Sequence, residues 1–140
     1  MKKILFFLFA SCLTFGAFSQ ADMKSAVYTS NTLDTVTNAA TKYLVSAKQG
    51  ISYGAIVTVA FTATEISGTT GGTATLQGSL DGTNWYTAPG TTAYTLTDVA
   101  AQTTVFKVTS SGEVYFRLAV VGTGTMSDQI KAKYTVRAVN

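Results

Sequence analysis

From residue 55 onward, apolar and polar residues trade places with a period of two, and no segment sustains the 3.6-residue period of an amphipathic helix. In "AIVTVAFTATEI" (55–66), Val57, Val59, Phe61 and Ala63 fall on one side, and Thr58, Ala60, Thr62 and Thr64 on the other. "TATLQGSL" (73–80) repeats the pattern, with Ala74, Leu76, Gly78 and Leu80 against Thr75, Gln77 and Ser79. "EVYFRLAVV" (113–121) sets Val114, Phe116, Leu118 and Val120 against Tyr115, Arg117 and Ala119. "QIKAKYTVRAV" (129–139) sets Ile130, Ala132, Tyr134, Val136 and Ala138 against Lys131, Lys133, Thr135 and Arg137. Successive side chains of a strand point to opposite faces, so each segment predicts a strand with one buried side. "TVFKVT" (104–109) and "WYTA" (85–88) add shorter strands. Upstream, "SAVYT", "LDTVT" and "KYLVSA" read the same way.

Turn signals separate these runs: "SGTTGG" (67–72), "DGTN" (81–84), Pro89-Gly90, "SSG" (110–112) and "GTGTMSD" (122–128). "SGTTGG" reads as a flexible hairpin loop. The sum is eight or nine short strands, and the fold expected is an all-β antiparallel β-sandwich, jelly-roll or immunoglobulin-like. No linker or composition break divides residues 21–140, which are read as a single domain.

Composition supports this reading. Residues 21–140 hold 24 threonines and one proline, and threonine and valine suit a pleated, half-buried surface. Residues 1–20 have a different character. Lys2 and Lys3 precede an apolar run from Ile4 to Phe18, short for a membrane span, and "GAFSQAD" follows. A secretory signal peptide is predicted, with cleavage near Gln20 or Ala21 and an exported product, extracellular, on a cell surface or on a virion. The alternatives are an uncleaved anchor through residues 4–18 and lipidation at Cys12.

Removing Lys2 and Lys3 takes the ten basic residues to eight against seven acidic ones, a net charge of 8 − 7 = +1. That balance is no nucleic-acid footprint. Lys131, Lys133 and Arg137 read as the solvated side of a strand.

The chain has no histidine, and its one cysteine lies in the predicted signal. Histidine-based nucleophile schemes, histidine metal ligands and disulfides therefore do not arise beyond residue 20. There is no phosphate-binding or dinucleotide-binding glycine motif. Carboxylate catalysis needs a close pair. The seven acids (Asp22, Asp34, Glu65, Asp81, Asp98, Glu113, Asp128) are spread singly along the chain. No catalytic residue, cofactor or metal ligand is predicted.

The stretch "GSLDGTNW" (78–85) concentrates an acid, a glycine, an amide and the single tryptophan. Asp81-Gly82 between alternating runs predicts a two-residue type I′ hairpin turn, in which both central residues take positive φ. Ser79 and Asn84 are placed to cap it, and Trp85 to cover one end of the core. Asp81, Gly82 and Asn84 are thus the structural turn residues. Two other readings remain open. Asp81 and Asn84 make a sparse oxygen set for calcium. Trp85, Tyr86 and Tyr94 are the candidate ligand contacts for a sugar, within an aromatic pool that includes Tyr43, Tyr53 and Tyr115.

"GSLDGTNWYT" resembles the Ser-x-Asp-Gly-x-x-Trp hairpin of discoidin-like and related galactose-binding-like β-sandwich modules. That resemblance implies a structural role for the motif, with ligands bound at other loops. The longer run from "DTVTNAATKYLVS" through "GTATLQGSLDGTNWYTAPG" to "YFRLAVVGTGTMS" is similar to small β-sandwich proteins of bacteriophage particles, which implies a structural protein. Two functions follow as expectations. One is a non-catalytic structural or interaction module displayed on a virion or cell surface, with protein partners or self-assembly. The other is a carbohydrate-binding module of a secreted protein acting in adhesion.

Overall fold

The computed structural model describes residues 20–25, 34–46 and 54–137. Residues 1–19 lie outside that set, and with them the apolar run and Cys12. Gln20, at the predicted end of the signal, is the first residue of a strand.

Eleven strands form, numbered in chain order: β1 Gln20–Asp22, β2 Lys24–Ser25, β3 Asp34–Thr37, β4 Thr41–Val45, β5 Ile56–Ser67, β6 Gly72–Ser79, β7 Tyr86–Thr87, β8 Tyr94–Leu96, β9 Ala101–Thr109, β10 Tyr115–Gly122 and β11 Ser127–Arg137. β1 and β8 are the two strands beyond the nine read from the sequence; β7 falls within "WYTA", and "SAVYT" meets β2 at Ser25, its other residues lying outside the described set. All pairings are antiparallel, and they make two sheets. The first runs β1-β11-β5-β9, with β3 beside β1 on the same edge of β11. The second runs β2-β4-β10-β6-β7, with β8 on the edge that β7 also uses. The fold is therefore an antiparallel β-sandwich.

Period two predicts the buried sides well. Val57, Val59, Phe61 and Ala63 of β5 meet Phe116, Leu118 and Val120 of β10 and Ile130, Ala132 and Tyr134 of β11 in one core. Each large side chain buried there stabilises the fold by about 1.5–3 kcal/mol. The outward sides of β5 and β11 carry the threonines and Lys131, Lys133 and Arg137. Leu80 departs from the pattern. Strand β6 ends at Ser79, and Leu80 begins the following turn with 62% of its surface exposed.

The connections differ from the hairpins expected. The chain switches sheet at nearly every step, and only β6, β7 and β8 are consecutive within one. "SGTTGG" joins β5 of the first sheet to β6 of the second, so it is an arch and not a hairpin. "SSG" and the 122–127 segment are arches too. The arches lock together: the Thr123 N–H donates to the Gly71 carbonyl at 3.1 Å, and the Asn38 N–H to the Met126 carbonyl at 2.9 Å. Gly72 permits the approach, because a Cβ there would collide with the Val121 carbonyl oxygen. Thr70 is buried at this end. Its hydroxyl donates to Asp128 at 2.7 Å and its N–H to Asp98 at 2.9 Å.

Candidate functional site

The second sheet presents an outward side that the core does not use. Antiparallel register sets its rows. Val45, Arg117, Gln77 and Thr87 lie side by side across β4, β10, β6 and β7. The next row is Tyr43, Ala119 and Thr75, and on the other side Tyr115 faces Ser79. Phe116 and Leu118, on either side of Arg117, are buried in the core, so Arg117 projects away from it.

Arg117 organises this face. Its Cζ lies 4.1 Å from the Tyr43 ring centroid and 4.3 Å from that of Trp85. Its Nε–H donates to Gln77 Oε1 at 2.7 Å. A cation over two ring faces is held by their quadrupoles, at about 0.5–1 kcal/mol per contact for an exposed site. Partial burial pushes the guanidinium's pKa down, and the neighbouring Tyr43 works the other way. No ion pair joins Arg117 to a carboxylate of the described residues. Tyr43, Trp85 and Arg117 are all half-buried. The result is an array of two rings, a guanidinium, an amide and threonine hydroxyls.

The turn beside this face differs from the one predicted. Asp81 is not at positive φ, whereas Gly82 is, at 77°. Tyr86 pairs with Gly78, so the connection is longer than a two-residue type I′ hairpin. Its geometry comes from the Asp81 carboxylate. One oxygen accepts the Thr83 N–H at 2.7 Å, the Asn84 N–H at 2.8 Å and the Ser79 hydroxyl at 3.0 Å; the other accepts Asn84 Nδ2 at 2.7 Å. An aspartate that closes a turn onto its own following amides needs no positive φ. These donors, the Asn84 N–H first, hold the Asp81 carboxyl far below the usual carboxylate range. The Ser79 hydroxyl oxygen also accepts the Gly82 N–H at 2.9 Å.

The three aromatics singled out as ligand contacts do not share a side. Trp85 stands on the outward face over Arg117 and is not a plug for the end of the core. Tyr86 and Tyr94 pair with Gly78 and Ala74 of β6, on the inward side. Tyr94 packs against the core. Tyr86 sits at the rim, 41% exposed, and donates its hydroxyl to Glu113 at 3.1 Å. Tyr53 lies outside the described residues. The sequence pattern places Tyr43 and Tyr115 only in the general aromatic pool, and Arg117 and Gln77 in no site, because nothing along the chain marks β4, β10, β6 and β7 as neighbours.

Glu113 is a second polar centre, buried beneath Tyr86. It accepts the Ser111 N–H at 2.8 Å, the Ser111 hydroxyl at 3.1 Å, the Ser110 hydroxyl at 3.2 Å and the Tyr86 hydroxyl. Burial works to raise its pKa, but hydrogen bonds to its own backbone N–H, to Ser111 and to Tyr86 bring it below the ordinary value. The phenol of Tyr86 is pushed up, by burial and then by Glu113. With its lone pairs taken up, this carboxylate reads as a clamp for the β9–β10 arch.

Among the described residues no three acids, cysteines or histidines gather as a metal group. A cleft of about 210 Å³ opens elsewhere, between residues 90–94 and 104–107, where the edges of the two sheets meet.

No protein-family model matches the chain, and no curated protein does. One solved structure is similar in fold: the N-terminal cellulose-binding domain of Cellulomonas fimi β-1,4-glucanase C. It is 14% identical with a TM-score of 0.48, and the match covers 86% of this chain and 90% of that one.

Proposed function

We propose that the protein is a carbohydrate-binding module whose ligand lies along the outward face of its second sheet. This is the second of the two functions that the sequence raises. The observation that carries it is the Tyr43–Arg117–Trp85 array. Aromatic rings offer apolar faces to the C–H faces of sugars, and fixed polar groups beside them select hydroxyls. Gln77 and Arg117 supply such groups in the middle of the face, and Thr75 and Thr87 supply hydroxyls on either side. Strands run about 4.8 Å apart, so the row from Val45 to Thr87 spans about 14 Å. That is long enough for more than one sugar unit. The preset rotamers limit the side-chain entropy lost on binding. An exported chain, as residues 1–20 predict, would meet such ligands outside the cell.

Affinity electrophoresis in gels containing soluble polysaccharides tests the reading. The protein is retarded by at least one of them, and Trp85→Ala and Tyr43→Ala, each still folded, lose the retardation. A protein that runs freely in every gel, or variants retarded as strongly as the parent, would reject it.

A further inference from the structure

Arg117 has more hydrogen-bonding capacity than the protein uses. A guanidinium carries five N–H donors in a planar fork. Among the described residues only its Nε–H has a hydrogen-bond partner, Gln77. The two Nη groups donate to nothing among the described residues, and no carboxylate pairs with the charge. No outward position of β4, β6, β7 or β10 is acidic. Those positions are threonines, tyrosines, valines, Gln77, Ser79, Ala119 and Arg117 itself. Of the acids nearest in the chain, Asp81 stands at the end of the face, its carboxylate taken up by the amides of its own turn and by the Ser79 hydroxyl, and Glu113 is on the other side of the sheet.

From this juxtaposition we infer that the ligand of the face is an acidic polysaccharide, and that Arg117 receives a carboxylate or sulfate group of one of its sugars. The inference rests on the carbohydrate reading above and adds the class of sugar. Carboxylate and sulfate oxygens match the guanidinium fork in a bidentate geometry that a neutral hydroxyl cannot reproduce. The two rings and Gln77 hold the fork in place before the ligand arrives, so little further ordering is needed. A guanidinium partly withdrawn from water also regains on binding an anion what it lost in hydration.

The test uses the intrinsic fluorescence of Trp85, the chain's single tryptophan. The protein is titrated with oligogalacturonate, with a heparin-derived oligosaccharide and with neutral cellohexaose and laminarihexaose, at low and high salt. The inference predicts that an anionic oligosaccharide binds about ten-fold or more tighter than either neutral one. It also predicts that this margin shrinks as salt screens the charge. The carboxylate and sulfate arms tell the two anions apart. Arg117→Gln abolishes the margin. Arg117→Lys keeps the charge without the fork and retains only part of it, which separates loss of recognition from loss of folding. Neutral oligosaccharides that bind as tightly as anionic ones, or a margin that survives in Arg117→Gln, would overturn the acidic-ligand inference and leave the carbohydrate reading standing. No response to any of the four, in a folded protein, would remove both.

Discussion

Arg117 and Trp85 meet at 4.3 Å on a face that neither could form alone. Arg117 lies on β10 and Trp85 just before β7, and β6 runs between those strands. Their contact is thus a product of strand order. In a double-mutant cycle with Arg117→Met and Trp85→Ala, urea unfolding is expected to give a coupling energy of about 0.5–1 kcal/mol. Additive single effects would mean that the stack is not maintained in solution.

Asp81 gives the turn a pH signature. Its carboxyl is depressed by the donors it accepts. A depressed folded-state pKa means that the contribution is complete above the unfolded value near about 3.9, and is lost as pH falls toward the lower folded value. The gap in melting temperature between the parent and Asp81→Ala is therefore widest at neutral pH and narrows below about pH 4. Thermal scans across that range check this, and a gap independent of pH would contradict it.

Much of the core was legible in the sequence, because each long strand buries one side. The inward positions of β5, β10 and β11 are those that alternation assigns. The arches were not legible. "SGTTGG" has the same turn chemistry whether it joins neighbours in one sheet or crosses to the other, and only the packing of the sheets decides. The Asp81 turn was half legible. The residues were right and the turn type was not, since the carboxylate and not a positive φ at Asp81 shapes it. The candidate site was the least legible part. Tyr43, Trp85 and Arg117 stand far apart in the chain, and alternation within a strand says nothing of which strands are neighbours.

Glu113 tests whether the arch between β9 and β10 is fixed by its carboxylate. Glu113→Ala leaves Ser110, Ser111 and Tyr86 donors without their acceptor, at about 1–3 kcal/mol. Tyr86→Phe removes one donor and costs less, about 0.5–1.5 kcal/mol. Chemical denaturation of both variants checks the order. Equal losses would show that the clamp depends chiefly on Tyr86.

Two glycines should respond differently to substitution. Gly82 has φ 77°, and a Cβ there would lie 3.4 Å from the Tyr115 ring. Gly82→Val therefore strains the backbone by about 1–2 kcal/mol, while its Cβ meets the ring at ordinary contact distance. Gly72 combines φ 125° with a collision against backbone. Gly72→Ala is expected to destabilise more than Gly82→Val despite the smaller side chain. Melting temperatures decide, and the reverse order would mean that the arches do not pack as described.

The central claim is that the outward face of the second sheet, and no other surface, receives a glycan. Amide chemical-shift mapping with an oligosaccharide that responds in the fluorescence titration tests it most directly. The account predicts shifts confined to Tyr43, Gln77, Trp85, Thr87, Tyr115, Arg117 and their neighbours, with the Trp85 indole and Arg117 Nε signals among the largest. Shifts centred instead on residues 90–94 and 104–107, or on the lysine-bearing side of β11, would contradict it.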